Sequence, residues 1–430
     1  MKIIKITLLL ISIISITIIL LLQVDDDINP EVKQAYEQVT THKESKAYIY
    51  FLGFLADVDV KPEVMGKKIY ESFLESKKSS AIEDVNPSTY NYPAENNLPL
   101  FTLEAQTKIY VETLFLQKFD SSKLSKKHQV LFKRYKQFMV LDDYHTLATP
   151  GIYTPLEPYL HIISGNDLLL LHAIEDLKKG NVNKAKKSIL DNITYTRIQL
   201  SNADSVIGKA TYIAILSKNL DVLAVLARQY KAPFEGKVAP LTTAEKDVTK
   251  TLKREFIGNH SLYKSLDRSS NLLQSDTSQI PLPHWVNRIF FKPNMSLNAL
   301  YPEYKKLIDI ALLLPEDFAK VAENITTQSK VSFLTRFRNS VGAKLSSIGL
   351  PNHNDLRARS IYLGGKIALF NQVAVQATLP KSLAHTQNPF YKNKTAFYSD
   401  DNNQVCFDGP FLKRLKQSNR CLKLKINMKL

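Results

Sequence analysis

The sequence predicts a mainly α-helical protein with an N-terminal transmembrane helix, a multi-helix body and a small C-terminal β-hairpin or three-stranded appendage. Three observations carry that prediction. An uncharged run from Ile6 to Leu22 lies between Lys2 and Lys5 on one side and Asp25, Asp26 and Asp27 on the other. Apolar residues then recur at helical spacing through most of residues 30–377. Past Pro380 the pattern changes to short alternating segments separated by Asn and Asp.

The first element is the apolar run. A helix over residues 6–22 rises about 25 Å, and Ile3, Ile4, Gln23 and Val24 extend it to bilayer thickness. Lysines before it and acids after it place the amino terminus in the cytoplasm and the body outside. A cleaved signal peptide is the competing reading. Its apolar core usually spans about 7–15 residues and ends in a small-x-small site; this run is longer, and Leu-Leu-Gln-Val-Asp offers no such site. Residues 1–24 therefore read as a signal anchor.

Residues 25–150 read as an N-terminal helical region. Pro30 suits a first helical position, and Val32, Ala35, Tyr36 and Val39 follow at helical spacing. Ala47–Leu55 is apolar and aromatic until Asp57 and Pro62 break it, and helix resumes over 61–78. Asn86 to Pro99 reads as a loop, while 100–118 and 123–148 are again periodic.

Residues 151–380 read as a helical body. Three helices over 167–230 are separated by Gly180-Asn181 and a break before Ser205. Pro281, Pro283, Pro293 and Pro302 mark a loop over 274–302 that holds the only tryptophan. Helices are expected over 303–325, 329–348 and 355–377. Residues 381–430 read as a small basic β appendage: Ala396–Tyr398, a turn, Gln404–Phe407, and Leu422–Ile426 alternating with period two. An exported body lies in an oxidising space, so Cys406 and Cys421 are expected to be bonded.

Composition bounds the function. Of 430 residues, 44% are hydrophobic and 23% charged, which excludes a wholly disordered chain. Two cysteines exclude a disulfide scaffold and a four-cysteine zinc site. The net charge is +16, and residues 330–430 carry +13 of it, from 17 basic and 4 acidic residues. That end is expected to contact a polyanion through Arg336, Arg338, Lys344, Lys413, Arg414, Lys416, Arg420, Lys423 and Lys425. Outside the cytoplasm the suitable polyanions are lipid headgroups and wall polymers; nucleic acid is the less favoured partner. Helix 329–348 has Leu334, Phe337, Val341, Leu345 and Ile348 on one face, which suits either an interfacial helix or, preferably, a core helix with a basic solvated side.

Chemistry is harder to find. No H-E-x-x-H, G-x-S-x-G, Walker A or Rossmann fingerprint occurs. Ser261-Leu-Tyr-Lys264 matches S-x-x-K without its partner motifs. Asp142, Asp143, His145, His161, His172, Glu175 and Asp176 form the best acid–base or metal cluster, against the plainer reading of surface ion pairs. His284, Trp285, Phe290 and Phe291 supply flat apolar area for a groove. No catalytic residue, metal or cofactor is assigned.

Two strings, Y-I-Y-F-L-G-F at 48–54 and F-F-K-P-N-M-S-L-N at 290–298, resemble segments of an uncharacterised group of bacterial single-pass, membrane-anchored helical proteins. The resemblance implies an extracytoplasmic body on the inner membrane and brings no activity with it. The hairpin at 173–189 resembles one tetratricopeptide-like turn, and N-P-F-Y-K-N-K-T-A-F-Y at 388–398 is similar to a turn-and-strand pattern ending bacterial exported proteins such as pseudopilins. Together these features lead to the expectation of a membrane-tethered interaction or scaffold protein of the cell envelope. An envelope hydrolase is the alternative.

Overall fold

The computed structural model describes residues 2–37, 44–78, 98–103, 110–151, 154–230, 237–268, 284–322, 332–348, 354–374, 376, 383, 385–399, 403–411 and 417–426. Helix α1 (Lys2–Gln23) is followed by α2 (Pro30–Glu37), α3 (Lys46–Leu52), α4 (Pro62–Lys78), α5 (Tyr110–Leu116) and α6 (Lys126–Met139). Next come α7 (Tyr159–Lys178), α8 (Val182–Asn202) and α9 (Val206–Gln229). A single turn α10 (Thr243–Lys246) leads to α11 (Thr249–Arg268), α12 (His284–Phe290), α13 (Pro293–Leu312) and α14 (Pro315–Ala322). Helices α15 (Phe333–Arg338), α16 (Ser340–Ile348) and α17 (Asn354–Leu369) precede the strands β1 (Phe397–Tyr398), β2 (Gln404–Cys406) and β3 (Cys421–Lys423), with the turn α18 (Gln417–Arg420) before β3.

Helices α7, α8 and α9 pack side by side at the centre. Gly180 reverses the chain between the first two with φ +84°, a conformation glycine adopts without strain. Helix α9 is apolar nearly all round, as a helix surrounded by protein must be. By length and composition alone it could cross a membrane, but 78% of its apolar window is buried inside the body. Helices α3 and α4 approach until their backbones touch: a Cβ on Gly53 would stand 1.8 Å from the Pro62 carbonyl oxygen, and one on Gly66 1.8 Å from that of Ile49. The turn between them is held from outside. The buried Arg134 guanidinium on α6 donates to the carbonyls of Phe54, Ala56, Asp57 and Val60 at 2.8, 2.6, 2.8 and 2.9 Å.

The sheet lies where the sequence predicts, in antiparallel order β1-β2-β3, and Cys406 and Cys421 are register partners joined by a disulfide. It does not stand apart. Val405, Phe407, Leu422, Leu424 and Ile426 belong to the same hydrophobic core as Val32 and the central helices, with β3 against α9. The alternation expected over 422–426 is also not a simple in–out pattern, because Leu422, Lys423 and Leu424 are all buried.

Three other expectations change. The loop predicted over 274–302 is helical from His284 onward apart from a short break after Phe290, because Pro293 sits at the first position of α13, where no N–H is needed, and Pro302 is accommodated within it. The single helix predicted over 329–348 divides at Asn339, whose φ of −145° and ψ of 57° are not helical. The 123–148 periodicity ends with α6 at Met139, and residues 141–148 run without helix. The loop predicted from Asn86 falls almost entirely outside the described residues.

Candidate functional site: the socket beneath the N-terminal helix

Helix α1 is 22 residues long, and its described side chains from Ile4 to Leu20 are exposed; only the last turn, at Leu22 and Gln23, is partly covered. The six residues that follow are not a loose linker. The Asp25 carboxylate accepts from the backbone N–H of Asn294 at 2.9 Å and Met295 at 3.1 Å, an anionic cap on the N-terminus of α13. Asn294 Nδ2 donates to the Asp26 carbonyl and Asn298 Nδ2 to that of Asp27, each at 2.9 Å. Asn298 Oδ1 accepts the Asn29 N–H at 2.9 Å. From the other side Arg338 donates to the Val24 carbonyl and pairs with Asp26, both at 3.0 Å.

Beneath this strap lies a buried ammonium. Lys292 Nζ donates to the carbonyls of Arg288 at 2.9 Å and Ile289 at 3.3 Å, and to that of Arg338. Those carbonyls belong to the last turns of α12 and α15, so one cation satisfies the open ends of two helices. Burial, reinforced by the Arg338 charge, pushes its pKa down to about 8. Asn339 completes the joint: its Oδ1 accepts the Lys292 N–H at 2.9 Å and its Nδ2 donates to Ser296 Oγ at 2.9 Å. The string 290–298 is therefore the socket itself. Sequence spacing did not single out Lys292, Asn294, Asn298 or Asn339, because each acts on a partner dozens to hundreds of residues away.

The predicted groove is not assembled as expected. Trp285 and Phe290 are exposed on α12, but Phe291 is fully buried against Tyr263. His284 begins α12, and its side chain lies outside the described residues.

Among the predicted polyanion contacts, Lys423 is corrected: it is buried and pairs with Glu112 at 3.1 Å, because acid from α5 reaches the sheet. Arg338 is engaged in the strap, and half-buried Arg420 donates to the Phe407 carbonyl at 3.2 Å. Arg336, Lys344 and Lys425 are exposed, while Lys413, Arg414 and Lys416 lie outside the described residues. The basic end thus draws acids from the neutral middle, residues 25–329 with 38 basic and 37 acidic residues: Asp26, Glu112, Asp221 and Glu316 all pair with it.

The acid–base cluster disperses. Asp143 caps α3 by accepting from Lys46 N at 2.6 Å and Ala47 N at 3.0 Å. His161 meets the Leu98 carbonyl at 2.9 Å. His172 and Glu175 do share a helix face as expected, with Nδ1 4.0 Å from the carboxylate, but the imidazole stacks on Phe132 and burial lowers its pKa. Glu175 and Asp176 pair with Lys179 and Lys184. Among the described residues no group of three or more His, Cys, Asp or Glu could hold a metal. In place of that cluster a buried hydroxyl chain appears, with Tyr144, Tyr159 and Ser205 linked at 3.3 and 3.1 Å beside Glu157, whose carboxyl burial pushes up to about 7. A surface groove of about 600 Å³ runs along α8, but its Arg197 is fully engaged by Glu245 and the Ala239 and Pro240 carbonyls.

Comparison of the chain with known protein families, curated proteins and solved structures finds no match.

Proposed function

We propose that this is a membrane-tethered, extracytoplasmic interaction protein of the bacterial cell envelope, seated directly on the bilayer by α1. One observation carries the reading: a helix of 22 residues, uncharged from Ile6 onward and with its described side chains exposed from Ile4 to Leu20, is joined to the body by a strap bonded on both sides. At 1.5 Å per residue such a helix is about 33 Å long, which matches the ~30 Å hydrocarbon core. Charge supports the orientation. Lys2 and Lys5 stand in the first two turns of α1, at the end away from the body. The body offers apolar surface for a partner, since Leu156, Leu160 and Ile207 are exposed where the starts of α7 and α9 meet through the Tyr159–Ser205 hydrogen bond.

The test is extraction followed by capture. The full-length protein should stay with membranes through high salt and alkaline carbonate, and reversible crosslinking in those membranes should recover a reproducible envelope protein. Release by carbonate contradicts the tether, and recovery of lipid or wall polymer alone contradicts the protein-scaffold role. The hydrolase reading rests on Glu157, a carboxyl that burial raises to about 7 and that lies 3.5 Å from the Tyr144 hydroxyl. An unchanged phenotype in Glu157→Gln cells would remove it.

A further inference from the structure

More apolar surface surrounds the foot of α1 than its last turn accounts for. Phe333, Leu334 and Phe337 on α15 are 80%, 69% and 60% exposed; Trp285 and Phe290 on α12 are 51% and 41% exposed. Burying a side chain of this size is worth about 1.5–3 kcal/mol. Five of them left in water around one joint is a large unclaimed stabilisation.

Loose packing does not explain their exposure, because both helices are fixed. Helix α12 packs against α1, Lys292 binds the last carbonyls of α12 and α15 together, and Arg338 fastens the end of α15 to the Val24 carbonyl. Phe333, Leu334 and Phe337 share one side of α15 at positions i, i+1 and i+4, with Arg336 beside them. A helix of 6 residues extends about 9 Å, so this side stays close to the point where α1 ends. The polar margin of a bilayer is itself roughly 5–8 Å deep on each side.

We infer that α12 and α15 form a collar that inserts Trp285, Phe290, Phe333, Leu334 and Phe337 into the interfacial margin of the bilayer entered by α1, with Arg336 among the lipid phosphates. The inference rests on the tethered reading above. Its occupant is lipid because α12 packs against α1 and the end of α15 is fastened by Arg338 to the Val24 carbonyl, just past the end of α1. Its composition, aromatic and leucine side chains with arginine, is also that of interfacial helices. The collar gives the body a second contact and fixes its tilt, which a single spanning helix leaves free.

The single tryptophan makes the test direct. Full-length protein is reconstituted in vesicles of neutral and anionic phospholipid brominated either near the headgroup or near the chain ends. A second protein, Trp285→Phe with Phe333→Trp, moves the probe to α15. Both proteins should show a roughly twofold loss of emission with shallow bromine and a smaller loss with deep bromine, as interfacial aromatics do. If the protein resists carbonate extraction but either probe is unquenched by lipid and open to acrylamide, the collar is overturned and the tether stands. If carbonate releases the protein, both are overturned.

Discussion

Asp221→Asn should destabilise the fold by about 3–5 kcal/mol, the cost of breaking a buried ion pair from one side. The fully buried Lys366 ammonium lies 2.7 Å from one Asp221 oxygen and 2.8 Å from Ser217 Oγ. The other Asp221 oxygen accepts the Lys423 N–H at 2.9 Å, so this carboxylate joins α9, α17 and β3. At that separation and an effective dielectric of about 20, the attraction is about 6 kcal/mol before desolvation takes part of it back. Burial pushes the Asp221 carboxyl up and the Lys366 ammonium down, and each charge restrains the other's shift. The amide keeps an oxygen for Lys423 but turns N–H groups toward an ammonium that has none to accept them. Lys366→Met in the same chain removes the stranded cation and should restore at least half of the loss. Urea unfolding of the detergent-solubilised full chain, followed by circular dichroism, measures both. A single-variant loss below about 1 kcal/mol, or a double variant as unstable as the two single losses added together, would refute the pairing.

Arg134→Met removes a buried donor from four carbonyls of the 54–60 turn, of which Asp57 keeps the Val60 N–H, and should cost about 3–5 kcal/mol, with Arg134→Lys recovering only part; limited proteolysis between α3 and α4 reports it. Two half-buried groups give opposite pH dependences. The Glu157 carboxyl is raised to about 7 from 4.5, so its contribution is full below the lower value and lost as pH rises through the upper. The His260 imidazole, stacked on Tyr36, is lowered to about 4 from 6.5 by burial and then by the Lys264 charge, so its contribution is full above 6.5 and lost as pH falls through 4. Relative to the parent, Glu157→Gln should therefore gain thermal stability at about pH 7.5 over about pH 5, and His260→Gln the reverse. Reducing Cys406–Cys421 should cost about 3 kcal/mol for a loop of 15 residues, seen as a lower melting temperature in reductant.

What the sequence made legible is what local spacing controls. The apolar run of α1, the three central helices with their Gly180 turn, and the hairpin with its disulfide all follow from periodicity and punctuation within short windows. Features set by distant partners did not show. Alternation predicts an outward Lys423, yet Glu112 from α5 draws it inward. Proline spacing predicts a loop around Pro293, yet a proline at a helix start needs no N–H, and Asp25 caps that start from the far end of the chain. Asp25, Asp26 and Asp27 read as topology signals next to an apolar run, but two of their carboxylates serve α13 and Arg338. Orientation therefore rests mainly on Lys2 and Lys5. Net charge misleads in the same way: the +13 of the last hundred residues is partly spent on acids of the neutral middle.

The most direct measurement is the side of the membrane on which the body lies. Protease added to intact spheroplasts carrying the full-length protein should digest the body and remove a C-terminal tag. It should leave a cytoplasmic marker whole and a short α1 fragment in the membrane fraction. A tag that survives until the cells are lysed, or a body released intact into the soluble fraction, contradicts a protein held outside by α1.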